Sequence, residues 1–341
     1  GSAARPLLFE NRPLRGFSVG VHAFDLYQLQ PAQLGFYRNV GTFSDASFSQ
    51  GRNQFETNLS ARFARTFAGG ASFSVEYRTL NNRGQYRYQR DKHNALSLGF
   101  WLPVGKRYDG FLIYSRNVIR QQDNGGIVSD AIFGTGQFAG PIAAGIRLPR
   151  ENANTRLDDE SLHFTQHLRL LGKGSTGKRT LRATHTFAWN EQQYKFSDQG
   201  TGAEGLGEDA QFFEPTFLVD FRGIRHFVAV DRIDNAFVIN TFKTKDNGRP
   251  SDLLAVGASH SFFKVNQEPR EFKVNNWFLT GKLALTPSEK FAFTAQGALG
   301  VLENIGEYQL QGDLSLGLGK AGQLRASLLS QIRPPALLFD Q

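Results

Sequence analysis

The sequence contains no cysteine and no methionine among its 341 residues. Without cysteine a chain forms no disulfide framework, no thiolate metal site and no cysteine nucleophile. Long apolar runs are missing as well, since stretches such as 100–102 (FWL) fall far short of the roughly 20 residues that a spanning helix needs. The sequence therefore predicts neither a disulfide scaffold nor a transmembrane helix.

Basic residues outnumber acidic ones only modestly, with 39 Lys and Arg against 31 Asp and Glu, for a net charge of +8. They are spread along the chain without a Lys/Arg block, which argues against a nucleic-acid partner. The 31 Phe, 9 Tyr and 3 Trp make the chain too aromatic for a disordered protein. The chain begins Gly-Ser, without Met or a charged-then-apolar targeting segment, so we expect a mature, processed or excised chain.

Alternation of apolar and polar residues at period two recurs from one end of the chain to the other, as in a β-strand with one oily and one wet face. It is clearest at 306–318, where Tyr308, Leu310, Leu314 and Leu316 oppose Gln309, Gln311 and Asp313. Further segments follow the same rule: 55–67, 71–79, 162–170, 181–189 and 291–301. These runs of about ten to fourteen residues exceed the usual strand length of about five or six and match the span of a bilayer.

The connections between the runs differ in length, and aromatic residues gather near the ends of the runs. Short connections are predicted at 68–70, 103–107, 171–179, 286–290 and 319–322, and long polar ones at 80–94, 120–160 and 190–212. Outer-membrane barrels combine short periplasmic turns with long external loops and aromatic girdles. The sequence thus predicts an all-β, antiparallel transmembrane β-barrel of about 14–16 strands, integral to a bacterial outer membrane. A soluble β-sandwich or a β-solenoid stays open, because period two alone does not distinguish lipid from a protein core.

Several short motifs suggest other chemistry but lack its geometry. The segment 172–178 (GKGSTGK) resembles a P-loop, yet Arg179 stands where a hydroxyl residue is needed and a strand follows instead of a helix. His163 and His167 lie about 13 Å apart on a strand, too far for one metal ion. The acidic groups at 158–160 and 208–209 fit solvated loops better than a calcium site. We therefore expect no catalytic, cofactor or metal site, and no enzymatic activity.

The wet faces of the strands carry the residues expected to line a lumen. Six basic residues oppose four acidic ones in this set, which predicts a mild preference for anions in an open pore. The predicted lumen-facing residues are Glu56, Arg62, Glu76, Arg78, His163, His167, Arg169, Arg182, Lys282, Glu307, Asp313 and Arg325.

Several short segments, in their order along the chain, resemble the β-barrel porin family of the Bacteroidetes. They are SAARPLLF at 2–9, GVHAFDLY at 20–27, NLS at 58–60, VEYR at 75–78, GQY at 84–86 with Gln89, DNGGI at 123–127 and YKFSD at 194–198. The resemblance implies an outer-membrane barrel that is exported with a signal peptide. It covers nearly the whole chain but, because no aromatic-ended last strand precedes Gln341, only the N-terminal part of a family member.

We accordingly expect one β-barrel domain over 1–341. Residues 1–41 would form a lead-in and the first strands, residues 42–341 the barrel strands, and the closing strands would be missing. The expected function is a porin, a passive channel for small hydrophilic solutes in contact with outer-membrane lipid. The alternative is a non-conducting barrel that acts as a scaffold or accessory subunit, with protein partners, in a larger transport or secretion assembly of the envelope.

Overall fold

The computed structural model describes residues 13–37, 41–51, 55–129, 145–147, 153–172, 178–198, 218–220, 223–244, 250–288, 290–319 and 322–337. These residues are almost entirely β-structure, with two single-turn 3-10 helices at Pro31–Gln33 and Leu302–Asn304. The strands are β1 (Phe43–Gln50), β2 (Thr57–Thr66), β3 (Ser72–Asn82), β4 (Asp91–Val104), β5 (Tyr108–Gln122), β6 (Ala153–Leu171), β7 (Arg179–Asp198), β8 (Leu218–Asp220), β9 (Gly223–Thr244), β10 (Pro250–Gln267), β11 (Arg270–Ser288), β12 (Phe291–Gly300), β13 (Tyr308–Gly317) and β14 (Gln323–Ile332).

The strands form one antiparallel sheet in which neighbours along the chain are neighbours in space. Only β8 departs from this order, because it pairs with β9 alone and lies beside the main path. Such an up-and-down meander of 13 strands, with the short β8 beside it, is consistent with a β-barrel and confirms the all-β, antiparallel prediction. Within the described residues, no helix has the length and apolar character needed to cross a membrane.

Successive residues of each strand lie on opposite faces of the sheet, and the two faces differ in chemistry. We call the face that contacts residues 13–37 the inner face and the opposite one the outer face. Exposed large apolar side chains, such as Phe48, Val256 and Leu328 at 64%, 63% and 74% exposure, follow the outer face from β1 to β14. Serines and amides such as Ser72, Ser97 and Asn117 are buried on the inner face. The inverted distribution, oily outside and polar inside, is that of a barrel in lipid.

The outer apolar residues form a band near the end of the sheet that carries the tight connections at 67–71, 105–107, 172–178 and 318–322. Beyond the band the outer face becomes charged. Rings with a polar edge mark the border, because Tyr114 and Trp189 lie on either side of Leu162 in the register, and the Tyr114 hydroxyl donates to Glu160 at 2.9 Å. Aromatic side chains favour such an interface between hydrocarbon and water.

Strand lengths and loop bounds differ from the sequence prediction. Strand β9 spans Gly223–Thr244, well past the expected ten to fourteen residues, because the central strands continue beyond the apolar band with a charged outer face. Two of the long connections are correspondingly shorter than predicted, 83–90 and 123–152, and the third runs over 199–217 before β8. The difference in connection length between the two ends of the sheet also fails at three places, because β1–β2, β10–β11 and β12–β13 are joined by short connections at 51–56, 268–269 and 301–307 on the long-loop side. The described part of 1–41 contains no strand.

Leu314 and Gln311 give a direct test of the two faces. In the register Leu314 lies between Phe293 and Ala326, whereas Gln311 lies between Gln296 and Leu329 and accepts a hydrogen bond from Gln296 at 2.7 Å. We expect Leu314→Arg to lower the yield of folded protein in lipid vesicles, at a cost of about 2–4 kcal/mol near the midplane. Gln311→Arg is the matched control and should cost much less. Equal losses, measured by the heat-modifiable mobility of the folded barrel, would contradict the assignment of faces.

Candidate functional site at the inner face

Residues 13–37 run across the inner face of the sheet, and we call them the crossing segment. The segment contacts strands from both ends and from the middle: β14, β11, β10, β9, β6, β5, β4, β3 and β2. It then leads directly into β1, where the Tyr37 ring stacks on Phe43 at 5.3 Å. The polar face that the sequence assigns to a water-filled lumen is thus partly covered by the chain itself.

The first part of the crossing segment is fixed against β10 and β11. The Phe17 amide donates to the side-chain oxygen of Asn276 at 3.3 Å, and its ring meets Phe263 and Phe272 edge-on at 5.2 and 6.1 Å. Phe17 joins a buried apolar cluster on this face that includes Val228 and Val265. Gly16, with φ +65°, approaches the Asn276 amide so closely that a Cβ would lie 2.6 Å from it, which requires glycine there.

The middle part is fixed against β4, β5 and β6. Asn117 binds the backbone of Leu29 on both sides, accepting from its N–H at 2.8 Å and donating to its carbonyl at 3.4 Å. Leu29 is 1% exposed, and Phe24, 4% exposed, forms a cluster with Ile119 and Leu157. An amide side chain that satisfies both backbone groups of a buried residue offsets the cost of removing them from water.

The last part lies against β2 to β5. The Tyr37 carbonyl accepts hydrogen bonds from the hydroxyls of Thr66 at 2.9 Å and Ser72 at 3.0 Å. Phe36 meets Phe111 edge-on at 5.3 Å. Gly99 on β4 leaves the room for this contact, since a Cβ there would lie 2.5 Å from Leu34 and 2.9 Å from Phe36. The glycine therefore makes a seat for the segment in an otherwise regular strand.

A cavity of about 510 Å³ lies between the crossing segment and the inner face. Both sides of its lining include polar and charged residues, beside apolar ones such as Phe17, Val230 and Phe263. The segment contributes Arg15, His22 and Asp25, and the strands contribute a larger set: Asp159, Ser161, His163, Asn190, Gln192, Arg232, Asp234, Ser259, Ser261 and Asn276. Such a space suits a small hydrophilic solute, because its wall offers donors, acceptors and both signs of charge.

Several charged side chains of the inner face form ion pairs with each other. Arg62 on β2 pairs with Asp45 on β1 at 2.7 Å, and Arg78 pairs with Glu76 two residues away at 2.5 Å. Arg232 and Asp234 form a third pair, at 2.8 Å, beside the cavity. The Arg182 guanidinium instead lies over the Phe242 ring at 5.1 Å. Charges arranged this way present local fields of both signs.

The predicted lumen-facing residues share the inner face of the sheet. Ten of the twelve lie within strands and have inner-face register, and Glu56 and Glu307 immediately precede β2 and β13. His163 lines the cavity, whereas His167 is hydrogen-bonded to Thr184 at 2.9 Å. The structure does not bring the twelve together, because they spread over β2, β3, β6, β7, β11, β13 and β14.

The full register also adds acidic residues that the sequence analysis missed, which removes the basic excess on which the expected anion preference rests. Asp91, Asp159 and Asp198 fall within the long loops predicted at 80–94, 120–160 and 190–212, and the sequence alone assigns no face to Asp45, Asp109 or Asp234. Eight basic residues now face eight acidic ones within the strands: Arg62, Arg78, Arg169, Arg182, Arg232, Arg270, Lys282 and Arg325 against Asp45, Glu76, Asp91, Asp109, Asp159, Asp198, Asp234 and Asp313.

The DNGGI motif at 123–127 has a structural role at the start of a long loop. Asn124 accepts from the Gly126 amide at 3.0 Å and donates to the Arg87 carbonyl at 2.9 Å, which joins two loops. Asp123 accepts from Thr155 at 2.7 Å and from Gln121 at 2.8 Å. Burial raises the pKa of the Asp123 carboxyl, and these hydrogen bonds oppose the shift.

The other motifs add no site to the described part of the chain. The acidic residues Asp158, Asp159 and Glu160 lie in β6, where successive side chains alternate between the faces, and not in a loop. No group of three potential metal-binding side chains occurs among the described residues. The predicted turn at 173–177 and the acidic pair at 208–209 lie outside the described residues.

Comparison with known proteins agrees with this architecture. The family model described as "Putative porin" matches residues 1–341. The chain belongs to this family. No curated protein matches it. Family membership and the all-β sheet together support a porin-like role in an outer membrane.

Asn117 provides a test of how the crossing segment is held. Because the chain lacks cysteine, a single Gln28→Cys substitution, at a site that is 5% exposed, reports on the segment without background. We expect the added Asn117→Ala to speed maleimide labelling of this cysteine about tenfold, since two hydrogen bonds of about 0.5–1.5 kcal/mol each are lost.

The control for this test is Leu26→Cys, at a position that is 65% exposed. It should be labelled rapidly with and without the Asn117 substitution. Rapid labelling of Gln28→Cys in the otherwise unchanged protein would show that the crossing segment does not lie against the sheet.

Proposed function

We propose that the chain is a porin-like passive channel for small hydrophilic solutes, embedded in an outer membrane with its inner face around an aqueous path. The observation that carries this proposal is the charged and polar cavity of about 510 Å³ on the face opposite the exposed apolar band. Closure into a barrel stabilises a sheet with an apolar outer face and a polar inner face in lipid, because closure pairs the backbone groups of both edge strands.

The crossing segment sets the width of the proposed path. A barrel closed from the 13 strands of the main path has more strands than the small barrels filled by side chains and fewer than the 16- to 18-stranded porins with open channels. With residues 13–37 against its wall, the remaining space fits solutes of a few hundred Å³ at most. Long solutes would require the segment to move, and its buried contacts at Phe17, Phe24 and Leu29 oppose that movement.

The balance of charges supports only weak charge selectivity. Eight basic and eight acidic residues give the strands no net charge on the inner face. Three of the basic residues are paired with acids. The mild anion preference inferred from the sequence stays a prediction without this support. We propose instead that ion pairs along the path, such as Arg232 and Asp234, select solutes by size and polarity rather than by the sign of their charge.

The second candidate is a non-conducting barrel that serves as a scaffold or accessory subunit of an envelope assembly. The observation that favours it is the depth of the segment's anchoring, with Leu29 at 1% and Phe24 at 4% exposure. A segment held by apolar clusters at two places and by amide contacts at Asn276 and Asn117 has the character of a permanent plug. The two candidates share one fold and differ in the mobility of this segment.

Single-channel recording in planar bilayers distinguishes the two candidates. We expect the purified protein to give small stepwise currents, and the double variant Phe24→Ala, Leu29→Ala to give larger or more frequent ones, because each truncation removes about 2–5 kcal/mol of buried contact. Leu26→Ala, on the exposed side of the same segment, is the control and should conduct like the unchanged protein.

The outcome separates a channel from a scaffold. Silence of all three proteins, in preparations that show the folded mobility, would contradict the channel and support the scaffold. Silence of the unchanged protein with currents in the double variant would identify a plugged barrel. Equal conductance of all three would show that the crossing segment does not restrict the path.

A further inference from the structure

A row of four basic residues crosses the outer face on four adjacent strands. The register pairs Lys92 on β4 with Arg120 on β5, Arg120 with Arg156 on β6, and Arg156 with Lys195 on β7. Directly opposite residues in a sheet have Cβ atoms about 5 Å apart, where like charges repel and destabilise the pairing. All four side chains are exposed. A sheet that places like charges in register at three successive pairs needs a compensating anion.

The protein supplies little of that compensation itself. Arg156 pairs with Asp158, but within the described residues no ion pair joins Lys92, Arg120 or Lys195. The charged row nearer the apolar band carries both signs, in blocks along the row: Arg116, then Glu160, Glu191 and Asp231, then Lys264 and Lys273. Its acidic block has basic neighbours at both ends, Arg116 and Lys264. The row of Lys92, Arg120, Arg156 and Lys195 differs because all four of its members are basic.

The row lines a concave site rather than a flat surface. A cavity of about 500 Å³ is bounded by the four basic residues and by a fifth, Arg90, which precedes β4. Its other lining residues are Gln121, Gln122, Asn154, Thr155 and Ser197. Five cations with amide and hydroxyl donors around one hollow match the oxygens of a phosphate group, which accept several charge-assisted hydrogen bonds at once.

The position along the strands indicates where such a phosphate comes from. Lys92 lies four residues beyond Leu96, and Lys195 lies six residues beyond Trp189, at the border of the apolar band. At 3.3 Å per residue this is about 13–20 Å along the strands, or about 10–15 Å along the membrane normal for strands tilted by about 35–45°. The headgroup layer is about 5–8 Å thick on each side of the hydrocarbon, so the long Lys and Arg side chains meet headgroup phosphates by extending back toward the membrane. The site faces away from the sheet, toward the surrounding lipid. A headgroup therefore reaches it without leaving the membrane.

We propose that Arg90, Lys92, Arg120, Arg156 and Lys195 form a binding site for the phosphate groups of a lipid headgroup on the outer surface of the barrel. The proposal rests on the membrane location in the proposed function but not on conduction, because the site and the cavity lie on opposite faces. Its test measures lipid retention and folding, so it fails or succeeds independently of channel recordings.

Native mass spectrometry of the purified full chain in detergent, titrated with diphosphoryl lipid A, measures the binding. The test variant is Lys92→Gln, Arg120→Gln, Lys195→Gln. Since each basic residue near an anionic headgroup contributes roughly a fivefold gain in affinity, we expect binding to weaken about a hundredfold. Binding to the unchanged protein should also weaken as salt increases, because the contacts are exposed.

The matched control removes three other basic residues of the outer face, each of which has an acidic partner: Arg225→Gln, Lys243→Gln, Lys264→Gln. It changes the net charge equally and should retain lipid binding within about twofold, with both variants checked for the folded mobility. An equal loss in the two variants would overturn the site. Displacement of the lipid by inorganic pyrophosphate at equal concentration would overturn the lipid source. Binding of the same strength to lipid A without phosphate would overturn the phosphate chemistry.

Discussion

The structure depends on one constraint, the need of every backbone N–H and C=O in hydrocarbon for a partner within the protein. A meander of neighbouring antiparallel strands meets it everywhere except at its two edge strands, β1 and β14. The same constraint explains the faces, because a strand between lipid and an interior must alternate at period two. Exposed leucines such as Leu310 and Leu328 and buried hydroxyl residues such as Ser97 and Ser115 are two sides of that requirement.

The inner face of such a sheet either contacts water or is covered by other parts of the protein, and here both occur. The crossing segment occupies part of it with Phe17, Phe24 and Leu29, which meet apolar patches on β10, β5 and β6. Between the patches the wall is polar, with hydrogen-bonded pairs such as Ser97 and Ser115 at 2.8 Å. In the proposed function the inner face therefore has two roles, as the surface that holds the crossing segment and as the wall of the solute path. The balance between them decides whether the barrel conducts.

Much of the fold could be predicted from the sequence because strand faces are local information. Alternation at 306–318 identified the lipid-facing leucines of β13, and the glycine-rich turns identified the connections at one end. The crossing segment could not be predicted in this way, since its contacts join residues far apart, 88 positions between Leu29 and Asn117 and 259 between Phe17 and Asn276. The signals that point to it are Gly99 within a regular strand and the apolar pairs Phe263 and Val265, Val228 and Val230 on the otherwise polar inner face. The uniform basic row was equally hidden, because cross-strand pairing is absent from a single sequence.

The central claim, an outer face in lipid and an inner face in water, is tested most directly by single cysteines placed in turn along β13 of the cysteine-free chain. After reconstitution into vesicles, a water-soluble maleimide should label Gln311→Cys, Asp313→Cys and Ser315→Cys, while Leu310→Cys, Gly312→Cys and Leu314→Cys stay protected until detergent is added. This alternation follows from the register of β12, β13 and β14. Equal labelling of all six positions before detergent would contradict a membrane-embedded sheet and support a soluble one.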